Sequence, residues 1–149
     1  MIDERCLCID LRTAAHKLTQ VYDEAMASSG LSVTQFSQMN LIRTHDGSTL
    51  TELADASDLD RSTLGRNLKV LEKMGLVTTK VGSDARSRSI HLSRKGVNAF
   101  KRAAPLWYAA QKELLERLGL SNREQLDAIL SLLTTPLGGG NVPLSADQN

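Results

Sequence analysis

The sequence predicts an α+β fold that is mainly α-helical, on three observations. Only 3% of the 149 residues are aromatic and 41% are hydrophobic, so the core must be mainly Leu, Ala, Ile and Val, which favours helix. The stretch from Leu50 to Val77 carries two helical apolar series separated by a polar break at Ser57 and Asp58. Two short β-prone runs follow at 77–81 and 89–92 with turn-forming residues between them. A helix-turn-helix followed directly by a hairpin predicts a winged helix.

The N-terminal segment predicts a long helix from Leu7 to Ala27. Its apolar residues recur at spacings of three and four, which makes a wide apolar stripe over about five to six turns. A helix this apolar needs a partner, so the stripe should cover either the rest of the domain or another subunit. Residues 28–30 end this helix, and Ser32 can cap the next one, whose buried side includes Phe36.

The two helices of the helix-turn-helix have recognisable boundaries. Ser48 or Thr49 can cap the first helix, for which Thr49 and Glu52 have the capping-box spacing. Asp60 stands at the N-cap of the second helix, and Gly75 ends it. Four apolar residues of the second helix face inward, namely Leu64, Leu68, Leu71 and Met74. The outward face is basic and hydrogen-bonding, and it comprises Arg61, Ser62, Thr63, Gly65, Arg66, Lys69 and Lys73.

Two further helices should follow the hairpin. Pro105 lies inside the segment from Arg94 to Leu118 and should kink or interrupt it, because proline removes a donor and clashes with the preceding turn. Ser121 and Glu124 repeat the capping-box spacing at the start of a last helix. Residues 136–149 have too little to bury and are expected to be a disordered tail.

Positive charge is concentrated in one part of the chain. Residues 60–102 carry 11 basic and 3 acidic residues, whereas acidic residues outnumber basic ones on both sides of this segment. A basic segment between acidic ones is typical of a phosphate-binding surface. The plain alternative is a solvated face without a partner.

Membrane, secretory and enzymatic functions lack support in the sequence. No apolar run approaches the length of a membrane span, and MIDERC lacks the features of a signal peptide, so we expect a cytoplasmic protein that does not bind membranes. In a reducing compartment Cys6 and Cys8 are free thiols unless they have a chemical task. The three histidines are scattered and no glycine-rich phosphate loop occurs, so we predict no enzyme, no cofactor and no metal site.

The helix-turn-helix and hairpin resemble those of the MarR family of bacterial transcription regulators. The phrase LxxLExxGLV, here Leu68 to Val77, is followed by DxR at Asp84 and Arg86, and helices flank both. The resemblance covers roughly residues 7–133. It implies a winged-helix homodimer whose terminal helices interlock, bound to a pseudo-palindromic site in double-stranded DNA. The implied domains are an N-terminal dimerisation helix at 1–31, a winged helix-turn-helix DNA-binding domain at 32–92, and C-terminal dimerisation helices at 93–135.

The resemblance also implies which residues contact DNA. The positions of the family's recognition helix fall on Arg61, Ser62, Thr63, Arg66 and Lys69. Arg66 suits a bidentate contact to guanine, whereas Lys69 and Lys73 suit phosphate contacts, as does Arg88. The wing residue Arg86 would enter the minor groove, held by Asp84, although the two could instead form a simple turn-stabilising ion pair. Gly65 stands where the family usually has a side chain, and a glycine cannot read a base.

The two cysteines leave three interpretations open. Cys8 at a helix start with Tyr22 fourteen residues later resembles the peroxide-sensing OhrR branch of the family, although that branch's two other tyrosines fall on Arg12 and Val33 here. Cys6 and Cys8 could instead bind a soft metal with ligands from two subunits. As a third interpretation, both are small hydrophobes at the dimer surface.

We therefore predict a sequence-specific DNA-binding transcriptional regulator, a repressor released by a small aromatic ligand or by thiol oxidation. Such an effector would lie between the dimer helices and the DNA-binding domain. Its candidate lining residues are Arg12, His16, Met26 and Trp107, of which the helical spacing also suits Met26 and Trp107 to the core. The alternative function is a winged-helix protein–protein interaction module without specific DNA binding.

Overall fold

The computed structural model describes residues 5–82 and 87–136, and within them it has the predicted α+β, mainly α-helical architecture. In sequence order, helices come both before and after a two-stranded antiparallel sheet. The elements in order are α1 (Leu7–Met26), a 3₁₀ turn (Ala27–Ser29), α2 (Val33–Thr44), α3 (Leu50–Asp55), α4 (Arg61–Lys73), β1 (Val77–Val81), β2 (Arg88–Leu92), α5 (Arg94–Leu118) and α6 (Leu120–Thr134).

The chain divides into two compact units, Met1–Gln111 and Lys112–Asn149. The first unit contains the helix-turn-helix, formed by α3 and α4, the hairpin and the hydrophobic core. The largest of its fully buried side chains come from α1, α2, α3 and α4, and they are Met26, Met39, Ile42, Leu53, Leu64 and Leu71. This core fixes the orientation of α4, because three leucines of α4 are anchored in it.

The predicted helix caps at Ser32 and Thr49 are formed. The Ser32 hydroxyl accepts from the Gln35 backbone N–H at 3.1 Å, and the Gln35 side chain accepts from the Ser32 N–H at 3.0 Å. Thr49 and Glu52 make the same reciprocal pair at the start of α3. The Thr49 N–H, and after it the Thr49 hydroxyl, lower the pKa of Glu52, so this cap stays ionised at neutral pH.

The hairpin is tied to the body of the protein at its base. Its register pairs Val77 with Leu92 and Val81 with Arg88. On the other side of β2, the Gly47 N–H donates to the Ile90 carbonyl at 3.0 Å, and the Ile90 N–H donates to the Ser48 carbonyl at 2.9 Å. These two bonds join β2 to the turn before α3, so the base of the hairpin has a fixed position relative to the helix-turn-helix.

Two details of the last helices differ from the sequence prediction. α5 runs from Arg94 to Leu118 with Pro105 inside it, so the interruption, one of the two effects predicted for this proline, does not occur. α6 begins at Leu120 after Gly119, which has φ +77° and makes no side-chain cap, so the predicted Ser121 capping box does not start this helix.

Several apolar side chains of the terminal helices are solvent-exposed in the single chain. On α1 they include Leu7, which is 62% exposed, and Ile9, Leu18 and Val21. On α6 they include Leu132, which is 75% exposed, together with Ile129, Leu130 and Leu133. No helix among the described residues is both long and apolar enough to cross a membrane.

Candidate nucleic-acid interface

The second helix of the helix-turn-helix, α4, presents opposite faces to the core and to solvent. Leu64, Leu68 and Leu71 are buried. The opposite face, which we call the basic face, consists of the exposed residues Arg61, Ser62, Arg66, Lys69 and Lys73 with the half-buried Thr63 among them. α4 is 13 residues long, which at 1.5 Å per residue is about 20 Å, long enough to lie in the major groove of DNA.

A hydrogen-bond network centred on Asp60 organises the start of this face. Asp60 is the N-cap of α4, as predicted, and its Oδ1 accepts from the Thr63 backbone N–H at 2.9 Å. The Ser62 hydroxyl donates to Oδ1 and the Thr63 hydroxyl donates to Oδ2. Arg66 Nη2 then donates to the Thr63 hydroxyl oxygen at 3.1 Å. Three predicted DNA-contacting side chains are therefore linked to one carboxylate.

These bonds keep Asp60 ionised. The Ser62 hydroxyl, followed by the Thr63 hydroxyl and the Thr63 backbone N–H, holds the pKa of Asp60 well below its ordinary value of 3.8. A carboxyl whose pKa is lower in the folded than in the unfolded chain stabilises the fold at every pH above its unfolded pKa. This contribution is lost only as the pH falls through the pKa of the folded chain. The network is thus complete at neutral pH.

The hairpin contributes one predicted DNA contact within the described residues. Arg88 is exposed at the start of β2, opposite Val81. It also lines a groove of about 230 Å³ between α4 and the sheet, together with Lys69 and Gly65. The two other predicted wing residues, Asp84 and Arg86, lie outside the described residues.

A second polar network holds the base of the hairpin. His91 Nδ1 lies 3.0 Å from Asp46 Oδ1, and His91 Nε2 lies 3.0 Å from the Ser89 hydroxyl. Asp46 belongs to the turn between α2 and α3, so this network adds a side-chain connection to the two backbone bonds of Ile90. The sequence prediction did not include it, because a contact between residues 45 positions apart leaves no local pattern.

All five aromatic residues of the chain join one group. Phe36 stacks on Phe100 with ring centroids 4.6 Å apart and on Trp107 at 5.7 Å. Trp107 also contacts Tyr22 at 6.5 Å and the edge of Tyr108 at 5.0 Å. Beside these rings is a cavity of about 260 Å³, which we call the aromatic cavity, and its lining residues are Phe36, Ser37, Asn40, Arg43, Phe100, Trp107 and Tyr108.

The aromatic cavity has one cationic side. The Arg43 guanidinium lies 5.2 Å from the centre of the Phe100 ring, and its Nη2 donates to Asn40 Oδ1 at 2.9 Å. The sequence prediction did not include Arg43 or Asn40 among the site residues. The spacing of Phe100 and Trp107, seven residues apart in a chain so poor in aromatics, was the signal that could have located this face of α5.

The four predicted effector residues are not brought together. Trp107 lines the aromatic cavity, whereas Met26 is fully buried in the core and does not line it. Met26 belongs to the hydrophobic core cluster, which is the role that its helical spacing also allowed. Arg12 and His16 are exposed on α1 and do not line the aromatic cavity.

Both cysteines are exposed at the start of α1. Cys6 is the N-cap residue, without a side-chain cap, and Cys8 lies in the first turn. Tyr22 lies about 21 Å from Cys8 along the same helix, at 1.5 Å per residue. The Tyr22 hydroxyl donates to the Gln111 side-chain oxygen. Among the described residues, no group of three or more His, Cys, Asp or Glu side chains could hold a metal ion.

Comparison with known proteins gives consistent relatives. The model of the MarR family matches residues 29–87. The transcriptional regulator MosR of M. tuberculosis, solved in complex with DNA, is 39% identical, with a TM-score of 0.75 over 87% of this chain and 96% of that one. The transcriptional repressor CouR, solved on a 23-mer DNA duplex, is 28% identical, with a TM-score of 0.75 over 87% and 93%. An uncharacterised helix-turn-helix-type transcriptional regulator of Bacillus cereus is 29% identical over 115 residues, 77% of this chain and 76% of its own.

Proposed function

This chain belongs to the MarR family of transcriptional regulators, and on that premise we propose that it is a homodimeric repressor that binds a specific operator through α4. The observation that carries the proposal is the basic face of α4, exposed along one side of a helix whose other side is anchored in the core. MosR and CouR are both solved on DNA, and CouR is described as a repressor, which supports repression as the mode of action.

The basic face combines two kinds of contact. Arg66 has the planar fork that donates two hydrogen bonds to the O6 and N7 atoms of guanine. Three cationic side chains are suited to contacts with phosphate, namely Lys69 and Lys73, further along α4, and Arg88 on β2. Phosphate contacts fix the position of the helix on the DNA without reading its sequence. We further propose that Arg86 enters the minor groove and that Asp84 holds it there.

The exposed apolar side chains of α1 and α6 supply the proposed dimer interface. Apolar surface of this kind on a soluble domain marks an interaction site, since its removal from water is worth roughly 25 cal/mol per Å². A second copy of the chain is the occupant that the family implies. A two-fold dimer presents two α4 helices to half-sites about one helical turn apart, so we expect a pseudo-palindromic operator.

The experiment that tests this function compares two duplexes over a range of salt. One carries the DNA upstream of the protein's own or a neighbouring gene, and the other has the same composition in scrambled order. We expect specific binding to the first, with log affinity falling linearly against log salt as counterions are released. A protein–protein interaction module, the rival function, would bind both duplexes equally weakly.

We infer that the effector is a small aromatic carboxylate bound in the aromatic cavity. Its ring would stack among Phe36, Phe100 and Trp107, and its carboxylate would replace Asn40 as the acceptor for Arg43. Because Trp107 is the only tryptophan of the chain, its fluorescence reports on this cavity directly.

With benzoate as the probe, we expect a change in Trp107 fluorescence that parallels release of the operator. Arg43→Gln should weaken benzoate binding by at least about tenfold, the usual loss for a charge-assisted hydrogen bond. The matched control is Arg102→Gln, an exposed arginine on α5 that does not line the aromatic cavity. Equal benzoate affinity in the two variants would contradict the assigned site.

Thiol oxidation is the alternative route of release that the exposed cysteines support. Hydrogen peroxide oxidises one thiol, reacting as its thiolate after loss of a proton, to a sulfenic acid, and the released hydroxide takes up that proton to form water. The second thiol then condenses with the sulfenic acid to a disulfide with loss of another water. We expect peroxide to release the wild-type protein from its operator if this route operates, and Cys8→Ser to stay bound, with Cys6→Ser compared in parallel. Release that persists unchanged in Cys8→Ser would remove the thiol route and leave the aromatic ligand.

A further inference from the structure

The hydroxyl groups of Ser62 and Thr63 have a fixed hydrogen-bonding direction. An ionised carboxylate only accepts hydrogen bonds, so both hydroxyls must donate their single hydrogen to Asp60. The low pKa of Asp60 keeps the carboxylate ionised at any pH at which the protein would bind DNA. Neither hydroxyl therefore has a hydrogen left for a base.

What these hydroxyls offer to solvent is lone pairs. Ser62 is exposed and keeps two, whereas Thr63 is half-buried and has already used one to accept from Arg66. The same bond holds the Arg66 guanidinium beside Thr63. The first turns of α4 thus present two hydroxyl acceptors next to one arginine donor, in an arrangement set by Asp60.

The major groove distinguishes bases by this polarity. Adenine N6 and cytosine N4 carry hydrogen-bond donors, whereas guanine O6 and N7 and thymine O4 are acceptors. An acceptor-only hydroxyl can bond an exocyclic amino group but meets a thymine or guanine oxygen with repulsion. A hydroxyl without Asp60 could turn and bond either kind.

We propose that Asp60 is a specificity-determining residue that makes Ser62 and Thr63 readers of adenine or cytosine amino groups beside the guanine contacted by Arg66. The proposal rests on the proposed function, namely that α4 lies in the major groove. Asp60 acts through its two neighbours and is a positioning residue, which need not touch the DNA itself.

The variant that tests this is Asp60→Asn. Asparagine caps helices about as well as aspartate, so its side-chain oxygen can still accept from the Thr63 N–H and α4 should keep its stability. Its amide group, however, donates where the second carboxylate oxygen accepted. The Thr63 hydroxyl, which donated to that second oxygen, must then accept from the amide and is free to donate to a base. The Ser62 hydroxyl can still donate to the oxygen that caps the Thr63 N–H.

The measurement is the affinity of each variant for a set of operator duplexes that each lack one exocyclic amino group. In some duplexes a single adenine is replaced by the unsubstituted purine base, which lacks the N6 amino group. In the others a single cytosine is replaced by thymine. Wild-type protein should lose affinity by about threefold to tenfold at one or two steps of each half-site, the usual effect of one hydrogen bond. At the step read by Thr63, the Asp60→Asn variant should lose less than about twofold, and at the step read by Ser62, the Ser62→Ala variant should lose less than about twofold. Thermal unfolding of Asp60→Asn, compared with wild type, checks that the helix is retained.

The control for charge is Asp58→Asn, which removes a neighbouring exposed carboxylate outside α4. It should raise affinity for all duplexes alike and keep the wild-type base profile. A wild-type profile in Asp60→Asn, or a wild-type protein insensitive to every amino group of the half-site, would overturn the proposal while leaving the function intact. Absence of any specific duplex binding by the wild type would overturn the function and this inference together.

Discussion

Arg66→Ala is expected to lower affinity for the operator by between about fivefold and about 150-fold, since a bidentate arginine–guanine contact is worth about 1–3 kcal/mol of discrimination. The loss should be confined to specific binding. Arg66 lies in the middle of the basic face, with its guanidinium already held by Thr63, so little side-chain entropy is lost when it binds a base. Competition between operator and scrambled duplex measures the effect.

Two control substitutions separate base reading from general charge. Lys69→Ala should weaken binding to all duplexes to a similar extent and reduce the salt slope by about one, as expected for one phosphate contact. Arg102→Ala removes an exposed arginine of α5 outside the basic face and should leave operator binding unchanged. If Arg66→Ala behaves like Arg102→Ala, the assignment of α4 as the recognition helix is wrong.

Gly96→Ala is expected to destabilise the protein strongly. Gly96 is buried in the first turn of α5, and a Cβ built on it would lie 2.0 Å from the Leu76 carbonyl oxygen. That oxygen also accepts from the Ser93 N–H at 2.9 Å, so neither backbone can move without loss of the bond. Overpacking of this kind costs about 1–3 kcal/mol and occasionally more. Unfolding by urea gives the difference in the free energy of unfolding.

The matched control is Gly65→Ala in the interior of α4. A Cβ there would lie 3.5 Å from Leu50 Cδ2, which is an ordinary contact. Replacing glycine by alanine inside a helix then stabilises by roughly 0.5–1 kcal/mol. Equal stability of Gly96→Ala and Gly65→Ala would show that Gly96 does not approach the Leu76 carbonyl as closely as described.

The elements that could be predicted from the sequence are those with local causes. The caps at Ser32, Thr49 and Asp60 depend on residues three positions away, and the end of α4 depends on the positive φ of Gly75 alone. Hairpin strands are likewise bounded by the turn residues between them, and the structure assigns β2 one residue more than predicted.

The features that escaped prediction depend on contacts distant in sequence or on competing local signals. Arg43 meets Phe100 only because α2 and α5 pack together. At the start of α6, Gly119 begins the helix before the Ser121 capping box can. Asp60 was predicted as a cap, but the capture of both neighbouring hydroxyls needs side-chain rotamers that a sequence pattern does not specify.

The central claim, that two copies of this chain read DNA through α4, is tested most directly by selection from a pool of random-sequence duplexes. We predict enrichment of one site with two inverted half-sites whose centres are about one helical turn apart, and loss of that enrichment with Arg66→Ala. Recovery of no common sequence by the wild-type protein, or of a single half-site without an inverted partner, would contradict it.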